Sequence, residues 1–166
     1  MKQELWHAWT RAGAALDDSG ESKEKAVALA VFLMQIQKQV REQGIGVLED
    51  FSSNEPLLDR GLFLVRMGME PELVQRILYT SLVTNAVDAR LGFLILEGVR
   101  AIQTGQSAIE TKELLKAYLP FGCAEPFEQK LFEDGIMGRC DGVLSQVEVS
   151  RLLQGNRDSQ SKKRKE

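Results

Sequence analysis

The chain has 166 residues, 43% hydrophobic and 27% charged, the composition of an ordinary soluble globular domain. Its formal charge of -3 is unevenly spread: residues 156–166 hold Arg157, Lys162, Lys163, Arg164 and Lys165 against Asp158 and Glu166, so this tail carries +3 and the remainder -6. An acidic body of this kind argues against a nucleic-acid-binding domain, and the basic tail reads as a solvated, disordered end, with contact to an acidic partner or a membrane surface as the alternative.

From the start of the chain, Gln3–Leu16 places Leu5, Trp6, Ala8, Trp9, Ala12, Ala15 and Leu16 at helical spacing. The run DDSGES breaks it, with Ser19 or Ser22 as the next cap. His7 is the only histidine and has no nucleophile or carboxylate motif beside it, so it reads as a packing or surface residue. Lys23–Asp50 reads as one long helix, because Ala26, Leu29, Leu33, Ile36 and Val40 recur every three or four residues. Past Met34 the other positions turn polar, as at Gln35, Gln37, Lys38 and Gln39. Gly44 and Gly46 cost that helix roughly 1 kcal/mol each relative to Ala, which points to a bend or to a close backbone neighbour. On one helix Arg41 and Glu49, eight positions apart, fall on the same side.

Asn54–Met67 is the next expected helix, with Asn54 as N-cap and Pro56 in the first turn. Its buried face is Leu57, Leu58, Gly61, Leu62, Leu64 and Val65, and Gly68 ends it. Glu70, Pro71 and Glu72 open a third helix with acidic residues at its positive end. A run from Pro71 to Gln103 is long for one helix, and Thr84–Asp88 is where it would break. Ser107 or Thr104 caps a short helix through Ile109, Leu114, Leu115, Tyr118 and Leu119 that Pro120 stops. Pro126–Glu133 and Ser145–Leu153 are two more helices, joined by a loop at 135–142. Strand patterns are absent, so the expected fold is all-α: a compact helical domain of six or seven helices with short loops. The organisation is an N-terminal helix at 1–20, a helical domain at 21–120, a C-terminal helical pair at 121–155 and the tail at 156–166.

Enzymatic chemistry has no foothold in this pattern. There is no nucleophile elbow, no phosphate-cradling glycine loop and no ligand cluster. Cys123 and Cys140 lack Cys-x-x-Cys spacing and a nearby histidine, so no zinc site and no cofactor are expected. With no signal peptide and no apolar run of about 18–20 residues, the expectation is a soluble, cytoplasmic, reduced protein without a transmembrane segment.

Two blocks carry a family resemblance. The first runs Arg41-Glu42-Gln43-Gly44 to Leu48-Glu49-Asp50, then Leu58-x-Arg60-Gly61-Leu62-x-Leu64-Val65-x-x-Gly68, then Pro71-Glu72-Leu73-Val74. The second is Leu96-Glu97-Gly98-Val99-Arg100-Ala101-Ile102-Gln103-Thr104-Gly105, followed by Glu110 to Leu119-Pro120. Together they resemble, in order, the cytoplasmic segments of the flagellar stator protein MotA family. In that family a pair of membrane helices separates the two blocks; here the join is only Tyr79–Phe93, which is partly polar. The front pair of membrane helices has no counterpart in Met1–Leu16 either, so the resemblance implies a stator-like cytoplasmic portion without an ion channel. It also implies roles in motility and chemotaxis, peripheral to the motor at the inner membrane. Arg41 and Glu49 match the family's rotor-facing charges in type and spacing, which implies a contact with the rotor protein FliG or with stator components. Arg60, inside the first block, joins them as a partner-binding residue.

The stretch Val143–Leu153 resembles the peptide of the rotor switch protein FliM that binds the response regulator CheY, through Leu144, Ser145, Gln146, Glu148, Leu152 and Leu153. Ser150 stands where that motif has Asp, and the stretch lies near the other end of the chain. Ser145 and Glu148 form a capping-box pattern, and Leu144, Val149, Leu152 and Leu153 form an apolar stripe that either docks in a partner or is core. Met137–Glu148 also fits a 12-residue EF-hand loop by position, but Met137 and Arg139 replace two ligands, so no Ca²⁺ is expected. The other functional reading is therefore a general helical adaptor with a degenerate, metal-free EF-hand-like unit.

Overall fold

The computed structural model describes residues 20–85 and 88–138. The expected helices at Gln3–Leu16 and Ser145–Leu153 and the basic tail lie outside the described residues. Within them the protein is all-helical: α1 (Gly20–Gln43), a 3-10 helix (Ile45–Asp50), α2 (Pro56–Arg66), α3 (Pro71–Thr84), α4 (Ala89–Thr104), α5 (Ala108–Lys116) and α6 (Ala124–Glu133). No strand occurs among the described residues.

Helices α1 and α4 form the spine, and their sequences say why. Both are apolar over more than one face. Ten α4 residues are buried, including the continuous run from Leu91 to Leu96, and α1 buries nine. A helix that is apolar most of the way round must be covered on several sides. The α2–α3 hairpin covers α4, α5 covers both spine helices, and α6 covers α1. Close approach is arranged with glycine. A Cβ on Gly98 of α4 would stand 2.6 Å from Leu33 Cδ1 of α1, and one on Gly61 of α2 would stand 2.8 Å from Val99 Cγ2 of α4.

The helix ends follow local chemistry. Asp88 caps α4 by accepting from the amides of Arg90 (2.8 Å) and Leu91 (3.3 Å), which settles the division of the long run between Thr84 and Asp88. Ser107 and Glu110 make a capping box at the start of α5, and the Ser107 hydrogen bonds hold the Glu110 carboxyl below its usual value. Helix α2 begins at Pro56, with Glu55 and not Asn54 in the cap position. Its first turn is tied down instead by Asp59, which accepts from the Ser53 amide (2.9 Å) and hydroxyl (2.8 Å). At its other end the Met69 amide reaches back to the Leu64 carbonyl and the Gly68 amide to Val65, a Schellman closure that the left-handed Gly68 permits.

The single long helix expected over Lys23–Asp50 is not formed. Helix α1 stops at Gln43, Gly44 turns the chain at φ 87°, and a 3-10 helix follows. Neither Gly44 nor Gly46 has a heavy atom near enough to crowd a Cβ, so no close backbone neighbour requires them; Gly44 serves the turn through its positive φ.

Gln37, one of the polar residues past Met34, is buried. This side chain is 1% exposed, and its amide donates to the Gln106 carbonyl (2.8 Å) and to Thr111 Oγ1 (2.5 Å). It ties α1 to the start of α5. Phe127 and Leu131 of α6 lie in the same hydrophobic core as α1 to α5. Lys116 of α5 meets Glu128 of α6 at 2.7 Å on the surface between these two helices. That ammonium holds the Glu128 carboxyl below its usual value, and Glu128 in turn raises Lys116.

Candidate functional site

The outer face of α2 is built by subtraction. The helical period assigns Leu57, Leu58, Gly61, Leu62, Leu64 and Val65 to the core, and all six are buried. Arg60, Phe63 and Met67, spaced by three and four, then fall together on the opposite side. Phe63 is 51% exposed and Met67 61% exposed. Arg66 sits beside them, its guanidinium carbon 5.6 Å from the Phe63 ring centre. The same guanidinium reaches Glu49 of the 3-10 helix at 3.5 Å. Both partners are solvent-exposed, so this ion pair is worth no more than about 1 kcal/mol. Arg60 has no ion-pair partner among the described residues.

Arg41 stands elsewhere. It is exposed in the last turn of α1 and lies on the wall of a groove of about 450 Å³, with no ion pair among the described residues. Because Gly44 ends α1, Arg41 and Glu49 belong to different elements, and the two-turn helical spacing that placed them on one side does not apply. The structure thus brings Glu49 to Arg66 beside the exposed α2 stripe, and leaves Arg41 on the groove wall. Leu144, Ser145, Glu148, Leu152 and Leu153 lie outside the described residues.

Phe63 and Met67 were not singled out by the sequence. The signal was present: they are the large apolar residues of α2 that its buried face leaves over. Aromatic, Met and Arg side chains are the types enriched at interface centres. The first position of the EF-hand-like loop is Met137, which is buried in the core. Among the described residues no group of three or more His, Cys, Asp or Glu side chains could hold a metal ion. Nor is any described helix long and apolar enough to cross a membrane. Comparison of the chain with family models, with curated proteins and with solved structures finds no match.

Proposed function

We propose that this chain is a non-enzymatic, stator-like protein of the flagellar motor that docks on another motor component through the exposed face of α2 and the adjoining 3-10 helix. The observation that carries the reading is the stripe Arg60, Phe63 and Met67, an apolar centre flanked by a cation with no ion-pair partner among the described residues and by the solvent-exposed Glu49–Arg66 pair. The resemblance of residues 41–74 and 96–120 to the stator's cytoplasmic segments points to the rotor protein FliG as the partner. The four residues between Thr84 and Ala89 stand where that family has two membrane helices, so the chain would bind without conducting ions. An ion-free copy occupying the rotor contact would regulate torque and not generate it.

Titration calorimetry of the full chain with FliG tests this. Phe63→Ala removes the apolar centre and is expected to weaken binding by about tenfold or more, the scale of an interface hot spot. Arg60→Glu is expected to act in the same direction. Arg41→Glu, on the groove wall, separates the α2 face from a wider contact. No binding by the unaltered chain, or binding indifferent to Phe63→Ala and Arg60→Glu, overturns the proposal.

A further inference from the structure

Helix α6 is fastened to the body differently from the other helices. Helices α1 to α5 each pack on two or more described elements, whereas α6 packs chiefly on α1. Its buried side chains are Phe127 and Leu131. Past its end, the Lys38 ammonium of α1 donates to the Gly135 carbonyl at 2.9 Å. Before its start, the chain leaves α5 through Phe121, which is fully exposed, and Gly122, which turns at φ 83° with open space where its Cβ would stand. Neither residue is packed against a neighbour that would stiffen the joint.

The ion pairs between α5 and α6 form a ring. Lys112 reaches Glu113 at 3.2 Å and Glu128 at 3.6 Å, and Lys116 reaches Glu113 at 3.4 Å and Glu128 at 2.7 Å. Each charge thus meets two of opposite sign. Three members belong to α5, and Glu128 alone belongs to α6. The Lys112 side chain is only 7% exposed, so water does little to replace a lost carboxylate there. With Glu128 in place the ring is neutral. Without it, α5 is left with two cations, one of them buried, against one anion.

We infer that α6 is a strap that swings off α1 about Gly122 as a unit while α1 to α5 stay folded, with Glu128 as the latch that holds it shut. Segments with fewer packed neighbours open at lower free energy than the core they leave. In the open state Phe127, Leu131 and the part of α1 beneath α6 are bared; in the closed state they are covered. The inference is independent of what binds the α2 face.

Native-state amide exchange on the full chain, read by NMR, tests it. The amides of Phe127 and Leu131 report α6, and those of Leu94 and Ile95 report α4. The α6 amides are expected to open about tenfold more often than the α4 amides, or more. Val99→Ala loosens α4 and not the strap. It is expected to speed exchange at Leu94 and Ile95 by about thirtyfold and to leave Phe127 and Leu131 within about twofold. Glu128→Gln is expected to speed exchange at Phe127 and Leu131 by about fivefold or more. The Cys123 thiol at the start of α6 is a second reporter, since it is buried in the closed state. In a Cys140→Ser chain its reaction with Ellman's reagent is expected to follow the α6 amides in every variant. One opening constant shared by α4 and α6 overturns the inference, as does a Val99→Ala chain in which both helices speed up equally, or a thiol that follows the α4 amides. Indifference of the α6 amides to Glu128→Gln overturns the latch. Urea below the unfolding transition replaces Val99→Ala if that variant does not fold: it should speed exchange in α4 more steeply than in α6, and equal slopes overturn the inference.

Discussion

Gly61 is the sharpest test of how α2 is held. Its missing Cβ would stand 2.8 Å from Val99 Cγ2 and 3.3 Å from Val99 Cγ1, with Leu78 Cδ1 at 3.2 Å. Val99 is fully buried in α4 and β-branched, so its χ1 is effectively fixed and its methyls have nowhere to turn. Gly61→Ala gains about 1 kcal/mol of helix propensity but overpacks the contact at a cost of about 1–3 kcal/mol. The net expectation is a loss of about 1 kcal/mol. Val99→Ala alone should cost about 2–3 kcal/mol, from two lost methyls and the cavity they leave. In that background the Val99 methyls are gone and only the end of the flexible Leu78 side chain remains, at 3.2 Å, so Gly61→Ala should now stabilise by up to about 1 kcal/mol. The coupling energy is therefore about 2 kcal/mol, well above the scatter for independent sites. Urea unfolding followed by far-ultraviolet circular dichroism reads it, since 1 kcal/mol moves the midpoint by about 0.3–1 M. Stabilisation by Gly61→Ala in the parental chain, or additivity within about 0.5 kcal/mol, would refute the close approach of α2 and α4.

Gln37→Leu should cost about 1–3 kcal/mol in the same assay, because the Gln106 carbonyl and Thr111 hydroxyl lose a buried donor while leucine fills similar space. The Lys116–Glu128 bridge should stabilise across the whole neutral range. The lowered Glu128 pKa adds stability above its ordinary 4.5 that is lost as pH falls through the depressed value, and the raised Lys116 adds stability below its ordinary 10.5 that is lost as pH rises through the raised one. Glu128 also pairs with the buried Lys112 at 3.6 Å, which keeps Glu113 at 3.2 Å, so Glu128→Gln should cost about 1–2 kcal/mol at neutral pH, an effect that vanishes in acid. Phe63→Ala and Arg60→Glu should leave stability within about 0.5 kcal/mol of the parental chain, since both positions already face solvent; a larger loss would make them structural and not docking residues.

The contrast between α2 and α1 shows what a sequence pattern can carry. In α2 the apolar period, the proline at the start and the glycine at the end all agree, and its six core residues follow from spacing alone. At the end of α1 the same reasoning fails for a physical reason. Leu48 is buried, eight residues beyond Val40, so the apolar period continues across Gly44 as though the helix did. A 3-10 turn advances three residues per turn and can deliver a leucine to the core where an α-helix would have done so. Only the left-handed φ at Gly44 distinguishes the two, and a glycine in sequence is equally consistent with a tolerated helical position. Gln37 fails differently: its partners lie 69 and 74 residues away, and nothing local announces that a polar side chain will be satisfied by them. The proposed docking face follows the opposite logic. Phe63 and Met67 become visible once the core face of α2 is assigned, because a helix with a complete buried stripe has no structural use for an aromatic residue on its other side. Their exposure among Arg60, Arg66 and Glu49 is what makes this face, and not the Arg41–Glu49 pair inferred from spacing, the surface to perturb first.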